Sequence, residues 1–151
     1  MTSANNSGPK VNPAVETASR FLGAVKKRDS VAFWDTLDKK GQGYFLGLWF
    51  YAMESVNIDT IIKLSCERDF LDGVLGPLMD SLKESMGELL DNPEFGDIKH
   101  KTPHSALVEV SNDYIPLVLE LSQDQSGSGD VNLTRWKVDT LNCFKLSKGS
   151  H

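Results

Sequence analysis

Cysteine and histidine are scarce in this chain of 151 residues, with two copies of the first and three of the second. Cys66 and Cys143 have neither the spacing of a metal knuckle nor that of a CxxC redox pair. Both stand in apolar settings, so buried, reduced thiols are expected. His100 and His104 lie four apart, a spacing that sets two ligands on one face of a helix. Here Thr102-Pro103 separates them, the local pattern is extended, and no third ligand stands near. Solvated imidazoles are expected there, and no metal. Long apolar runs are also missing. The longest uncharged apolar stretch, Tyr44 to Met53, has ten residues, and a bilayer crossing needs about 20. No charged-then-apolar leader opens the chain, so the expected location is cytoplasmic, with no membrane span. Positive charge is in short supply: sixteen Lys and Arg against twenty-one Asp and Glu leave a net charge of −5. Nucleic-acid binding, which draws on a basic patch, is therefore not expected. No Ser/His/Asp order, phosphate loop or zincin motif occurs. Gly41-Gln42-Gly43-Tyr44-Phe45-Leu46-Gly47 is one residue too long for the dinucleotide fingerprint and has no strand before it, so it reads as a hinge. No cofactor is expected.

What the chain does have is a concentrated aromatic segment. Tyr44-Phe45-Leu46-Gly47-Leu48-Trp49-Phe50-Tyr51-Ala52-Met53 carries five of the thirteen aromatic residues and no charge. A surface helix keeps a polar face, and this segment has none. It is expected to be an interior rod at the centre of one domain.

The remaining pattern predicts helices first and strands last. Residues 1–11 are small and polar and read as a disordered tail. Asn12-Pro13 is a helix start, cap then first position, for a helix to about Arg28. Its apolar face is Ala14, Ala18, Phe21, Leu22 and Val25. Ser30 is expected to cap a short second helix with Val31, Trp34 and Leu37 on one side. Asp38 to Gly43 reads as a break, and the aromatic segment as a third helix to about Val56. Asp59 is expected to cap a fourth helix to about Leu71. Asp72-Gly73 and Gly76-Pro77 read as interruptions, and a fifth helix spans about Pro77 to Leu90. From Phe95 the hydrophobic period falls to two. Strands are predicted over 97–111 with a bend at Thr102-Pro103, over 114–122, and over 131–146 with a bulge near Asp139-Thr140, Trp136 and Val138 sharing a face. Gln123 to Asp130 reads as a hairpin loop. The last residues, 148–151, look like a tag remnant, leaving 12–147 as a single domain.

This order makes the fold class α+β, with helices packed in the concave face of a curved antiparallel sheet. The charge is uneven along it. Residues 54–97 hold eleven acids and three bases, a solvated face or a docking surface for a basic partner.

The phrases Phe21-Leu22-Gly23-Ala24-Val25-Lys26-Lys27-Arg28-Asp29, Phe33-Trp34-Asp35-Thr36-Leu37 and Trp136-Lys137-Val138-Asp139, in this order of elements, resemble the nuclear-transport-factor-like superfamily. That superfamily includes the SnoaL-like polyketide cyclases, ketosteroid isomerase and scytalone dehydratase. The resemblance implies a cone with a pocket at its open end. One departure is the helical, acidic segment at about 58–91, where relatives place short strands. Cone enzymes use Asp/His or Asp/Arg/Asp sets, and neither is found here at matching positions. Asp35 and Asp38 are ambiguous. Glu109 and Glu120 lie in strands, and alternation puts Glu109 on the outer face, opposite Val108 and Val110.

Trp34, Tyr44, Leu48, Trp49, Tyr51 and Trp136 are the residues expected to line a cavity, since Tyr and Trp combine apolar bulk with a polar handle. The functional expectation is a binding protein that holds a small apolar ligand in this aromatic pocket or docks a protein partner, with a homodimer as one form. The alternative is a SnoaL-like lyase, isomerase or cyclase acting on a hydrophobic carbonyl or polycyclic substrate. Filling of the core by the same aromatic residues is the plainer reading, and exposure as a contact surface is a third.

Overall fold

A computed structural model describes residues 12–123 and 132–144. The predicted tail at 1–11, the loop at 124–130, Leu146 and the predicted tag lie outside the described residues.

Asn12 accepts a hydrogen bond from the Ala14 amide at 2.8 Å and Pro13 takes the first position, so α1 runs Pro13–Lys27 as its sequence directs. Ala14, Ala18, Phe21, Leu22 and Val25 are buried together. Arg28 ends the helix in the left-handed region at φ 56°. Asp29, not Ser30, caps α2 (Ser30–Thr36). Ser30 is instead inside the first turn, and its hydroxyl donates to Asp72 at 2.5 Å. Val31 is exposed while Phe33 and Leu37 are buried.

The break expected at 38–43 does not form. Asp38 caps α3 (Lys39–Ala52) by accepting the Gly41 amide at 3.1 Å. Gly41 lies against Thr140, in space that a Cβ would occupy. The glycine there serves close packing and not a hinge.

Asn57, not Asp59, caps α4 (Ile58–Leu64). The next helix, α5 (Arg68–Met86), runs straight through Gly73, Gly76 and Pro77. An interior proline costs about 3 kcal/mol. Buried Leu71, Leu75 and Met79 on the same helix offset it. Gly76 is packed beneath the Arg28 guanidinium, which a Cβ would meet. The short α6 (Glu88–Asp91) follows Gly87. The extra helical segment expected at 58–91 is therefore present, with its internal boundary at 65–67.

Among the described residues the sheet has four strands, not three: β1 (Phe95–Thr102), β2 (Ser105–Val110), β3 (Asp113–Gln123) and β4 (Asn132–Val138). They form an antiparallel meander in that order. The bend expected at Thr102-Pro103 is a complete hairpin turn, with Thr102 paired to Ser105. Pro103 sits where no ladder donor is needed. The β2–β3 turn uses Ser111 and Asn112 at φ 46° and 72°, the two positive angles of a type I′ hairpin. The last predicted strand stops at Val138. No bulge carries it on, because Asp139 donates to the Pro116 carbonyl at 2.8 Å and the chain turns into α7 (Thr140–Cys143).

The architecture is α+β, with helices packed against a curved, unclosed sheet in a cone-like arrangement. Phe21, Val25, Phe33, Leu37, Leu71, Leu75, Met79, Val108, Val110, Leu117 and Val138 fill the space between α1, α2, α5 and the sheet. Val108 and Val110 are fully buried, so Glu109 faces outward as alternation requires. The aromatic segment is not part of this filling. Gly41 is the one buried residue of α3.

Candidate functional site

The interior rod expected from Tyr44 to Met53 is an outer helix with two unlike sides. One side meets the protein. Trp49 lies 5.2 Å from Trp34, 6.0 Å from Phe45 and 5.4 Å from Phe70, ring centre to ring centre. Trp34 also approaches Phe45 at 6.5 Å, so α2, α3 and α5 are tied by one aromatic cluster. The edge-on and tilted arrangements are those the ring quadrupoles favour.

The other side faces solvent. Tyr51 is 85% exposed, Leu48 46%, Phe50 45% and Tyr44 38%. At 3.6 residues per turn, Tyr44, Leu48 and Tyr51 form a single stripe. Gly43 and Gly47 run beside it, and a Cβ built at either would meet nothing within 4 Å. Phe50 borders the glycines on their far side. Ile58 and Ile62 of α4 are also exposed. The segment has no polar face because apolar residues occupy both its packed side and its wet side.

The six residues expected to line one cavity therefore separate. Trp34 and Trp49 are half-buried in the aromatic cluster. Tyr44, with its ring 5.5 Å from Phe45, stands at the cluster's rim. Leu48 and Tyr51 point away from it. Trp136 belongs to a different place. Its ring is 5.9 Å from that of His100, and its carbonyl accepts the Thr17 hydroxyl at 3.0 Å. It lines an open cleft of about 420 Å³ with Glu16, Arg20, Asp35 and Lys137.

That cleft is polar and internally paired. Asp35 lies 3.0 Å from Arg20 and 3.8 Å from Lys137, and Lys137 donates to the Asp35 carbonyl at 2.5 Å. Asp38, the one buried charged residue among the described residues, turns one carboxylate oxygen to backbone and lines a second open cleft with Lys40, His104 and Glu120. It accepts amides of Gly41 at 3.1 Å and Thr140 at 3.2 Å. Glu120 accepts the Lys39 amide at 2.7 Å and so assists the same helix end. Glu109 accepts the Asp97 amide at 3.3 Å.

Cys66 is exposed, against the expectation of burial, because Ser65-Cys66-Glu67 is the link between α4 and α5. Cys143 is partly buried, and burial pushes its thiol up to about 12. Exposed His100 and His104 stand on β1 and in the following turn. Among the described residues no three His, Cys, Asp or Glu side chains gather as metal ligands would. No described helix is long and apolar enough to cross a membrane.

The exposed apolar face of α3 was within reach of sequence reasoning through one signal: Gly43 and Gly47 sit four apart in a segment otherwise made of large side chains. Glycines at that spacing mark a helix side without bulk. The wet stripe runs beside them, and the packed side lies opposite. No protein-family model matches the chain, and no characterised protein or solved structure matches it either.

Proposed function

We propose that this protein is a docking module, which presents the outer face of α3 with the adjoining apolar residues of α4 to a protein partner. Tyr51 carries the reading: it is a large aromatic side chain with 85% of its surface in water. Single exposed apolar residues are ordinary on any protein. Four on one fourteen-residue helix, with two isoleucines on the next, form the kind of concentrated surface that marks contact sites. Tyr and Phe suit that role because they offer large area with few rotatable bonds.

The small-ligand reading has less support. Its six residues do not converge, and the space between α1 and the sheet holds buried side chains. The lyase, isomerase or cyclase reading needs a buried carboxylate or imidazole facing an open cavity. Asp38 is buried and lines a cleft with His104 and Glu120, but its Oδ1 accepts two backbone amides and so serves as the cap of α3.

Native mass spectrometry of the purified chain tests the proposal. The docking reading expects a chain of 16.7 kDa carrying no small molecule. A bound apolar compound of fixed mass, lost in a folded Trp49→Ala variant, would replace docking by a ligand pocket.

A further inference from the structure

The cleft beside Trp136 holds more positive charge than its carboxylates answer. It opens between the first half of α1, the end of α2 and strand β4, and Arg20, Arg135 and Lys137 all line it. Two of these cations share Asp35. Its Oδ2 is 3.0 Å from the Arg20 guanidinium, and its Oδ1 is 3.8 Å from Lys137 Nζ, beyond hydrogen-bond reach. Lys137 is held in place all the same. Its side chain is only 15% exposed, and its ammonium donates to the Asp35 carbonyl. An ammonium carries three donors, so this one keeps capacity for a further acceptor.

Arg135 has no ion-pair partner among the described residues. Glu120 is directly across the β3–β4 ladder from it, where opposite charges ordinarily pair. The Glu120 carboxylate is drawn off instead by the Lys39 amide at 2.7 Å, and it lines the other cleft, with Asp38. Glu16, the remaining acid of this cleft, stands in the first turn of α1, where the helix dipole already complements its charge. Three cations against Asp35 and Glu16 leave an excess of one, on a chain whose net charge is −5.

The walls beside these charges are partly apolar. Leu119 and Trp136 are paired across the β3–β4 ladder and line the cleft with Pro13. The volume of about 420 Å³ is at the small end of the range for organic ligands. An arginine fork reads a planar carboxylate through two parallel bonds, and an apolar wall next to it suits a flat body. An inorganic anion would leave that wall wet, and an uncharged apolar ligand would leave the cations unanswered.

We propose that this cleft binds a small aromatic carboxylate, its carboxylate taken by Arg135 with Arg20 and Lys137 beside it, and its ring laid against Trp136 and Leu119. No residue of the exposed α3 stripe lines the cleft, so the site is independent of docking. An open, wet cleft holds a ligand as small as benzoate with a dissociation constant on the order of 1 mM, so a purified chain emerges without it.

Benzoate titrated into the isotope-labelled full chain provides the test. The chain has three tryptophans, hence three indole N–H signals in a nitrogen–proton correlation spectrum, and Trp136→Phe assigns one of them. That signal should move and saturate with a midpoint on the order of 1 mM, while those of Trp34 and Trp49 stay in place. Benzamide, the uncharged match, should bind at least about tenfold more weakly, and added salt should weaken benzoate. Arg135→Gln should weaken benzoate about tenfold. Arg135 has no ion pair to lose, so the urea midpoint of this variant should equal that of the wild type, which separates lost binding from lost fold. Benzamide binding as well as benzoate, full affinity in Arg135→Gln, or a Trp136 signal that benzoate leaves still would overturn the site. Inorganic phosphate binding as tightly as benzoate would overturn it too, since charge alone would then suffice. Each of these results leaves the α3 face untouched.

Discussion

Truncating Trp49 and truncating Tyr51 should have very different costs, although the two residues are two positions apart in the same aromatic segment. Tyr51 is 85% exposed. With roughly 200 Å² for its side chain, about 30 Å² is covered, and at about 25 cal/mol per Å² Tyr51→Ala removes under ~1 kcal/mol. Alanine returns roughly 0.5 kcal/mol in helix propensity, so the net change should be close to zero. Trp49 faces Trp34, Phe45 and Phe70. If about 150 Å² of its side chain is covered, truncation removes about 4 kcal/mol, or about 3 allowing for a compact unfolded state. Urea unfolding at low protein concentration measures both, with equal slopes showing that the transition is the same. Low concentration keeps any association from adding to the midpoint. If Tyr51→Ala costs as much as Trp49→Ala, the segment is an interior rod after all and the docking face does not exist.

Glycine position should decide sign along the same helix. Gly41→Ala drives a Cβ into Thr140 and should cost about 1–3 kcal/mol, while Gly43→Ala, in open space, should gain up to about 1 kcal/mol; urea midpoints read both. A thiol reagent at neutral pH should label exposed Cys66 quickly, and Cys143, held up to about 12 by burial, only after denaturant is added; equal labelling rates would contradict the placement of α7. The Arg28 hydrogen bond lowers the Asp80 carboxyl below its ordinary value of 3.8. A carboxyl lowered by folding contributes stability above its unfolded pKa and loses it as pH falls through the folded value. The advantage of wild type over Asp80→Asn should therefore shrink as pH is taken down through 3.8, and urea midpoints that keep a constant gap over that range would count against the pair.

Much of the fold was legible because local chemistry and tertiary packing agreed. Asn12-Pro13 started α1, and the period-two pattern from Phe95 located the sheet. The departures arose where a local rule met a contact distant in sequence. Gly41 and Gly76 looked like helix breakers, yet each admits a neighbour, Thr140 and Arg28, from elsewhere in the chain. Thr140 looked like a strand residue until its amide found Asp38. The six candidate site residues shared chemistry but not location. Composition identifies side chains fit for a pocket, while only the angle of α3 decides which of them turn inward.

The first two helices are fastened to the far end of the described chain. Leu37 bridges Val138, Thr17 holds the carbonyl of Trp136, and the Asp38 amide donates to Val138. A nascent chain must therefore leave the β4 side of α1 uncovered until nearly 120 residues later that strand emerges to receive it. Closing so large a loop delays these contacts more than it weakens them. For this protein the final strand works as a latch, and a fragment ending before Asn132 should release α1 and α2 to rapid hydrogen exchange.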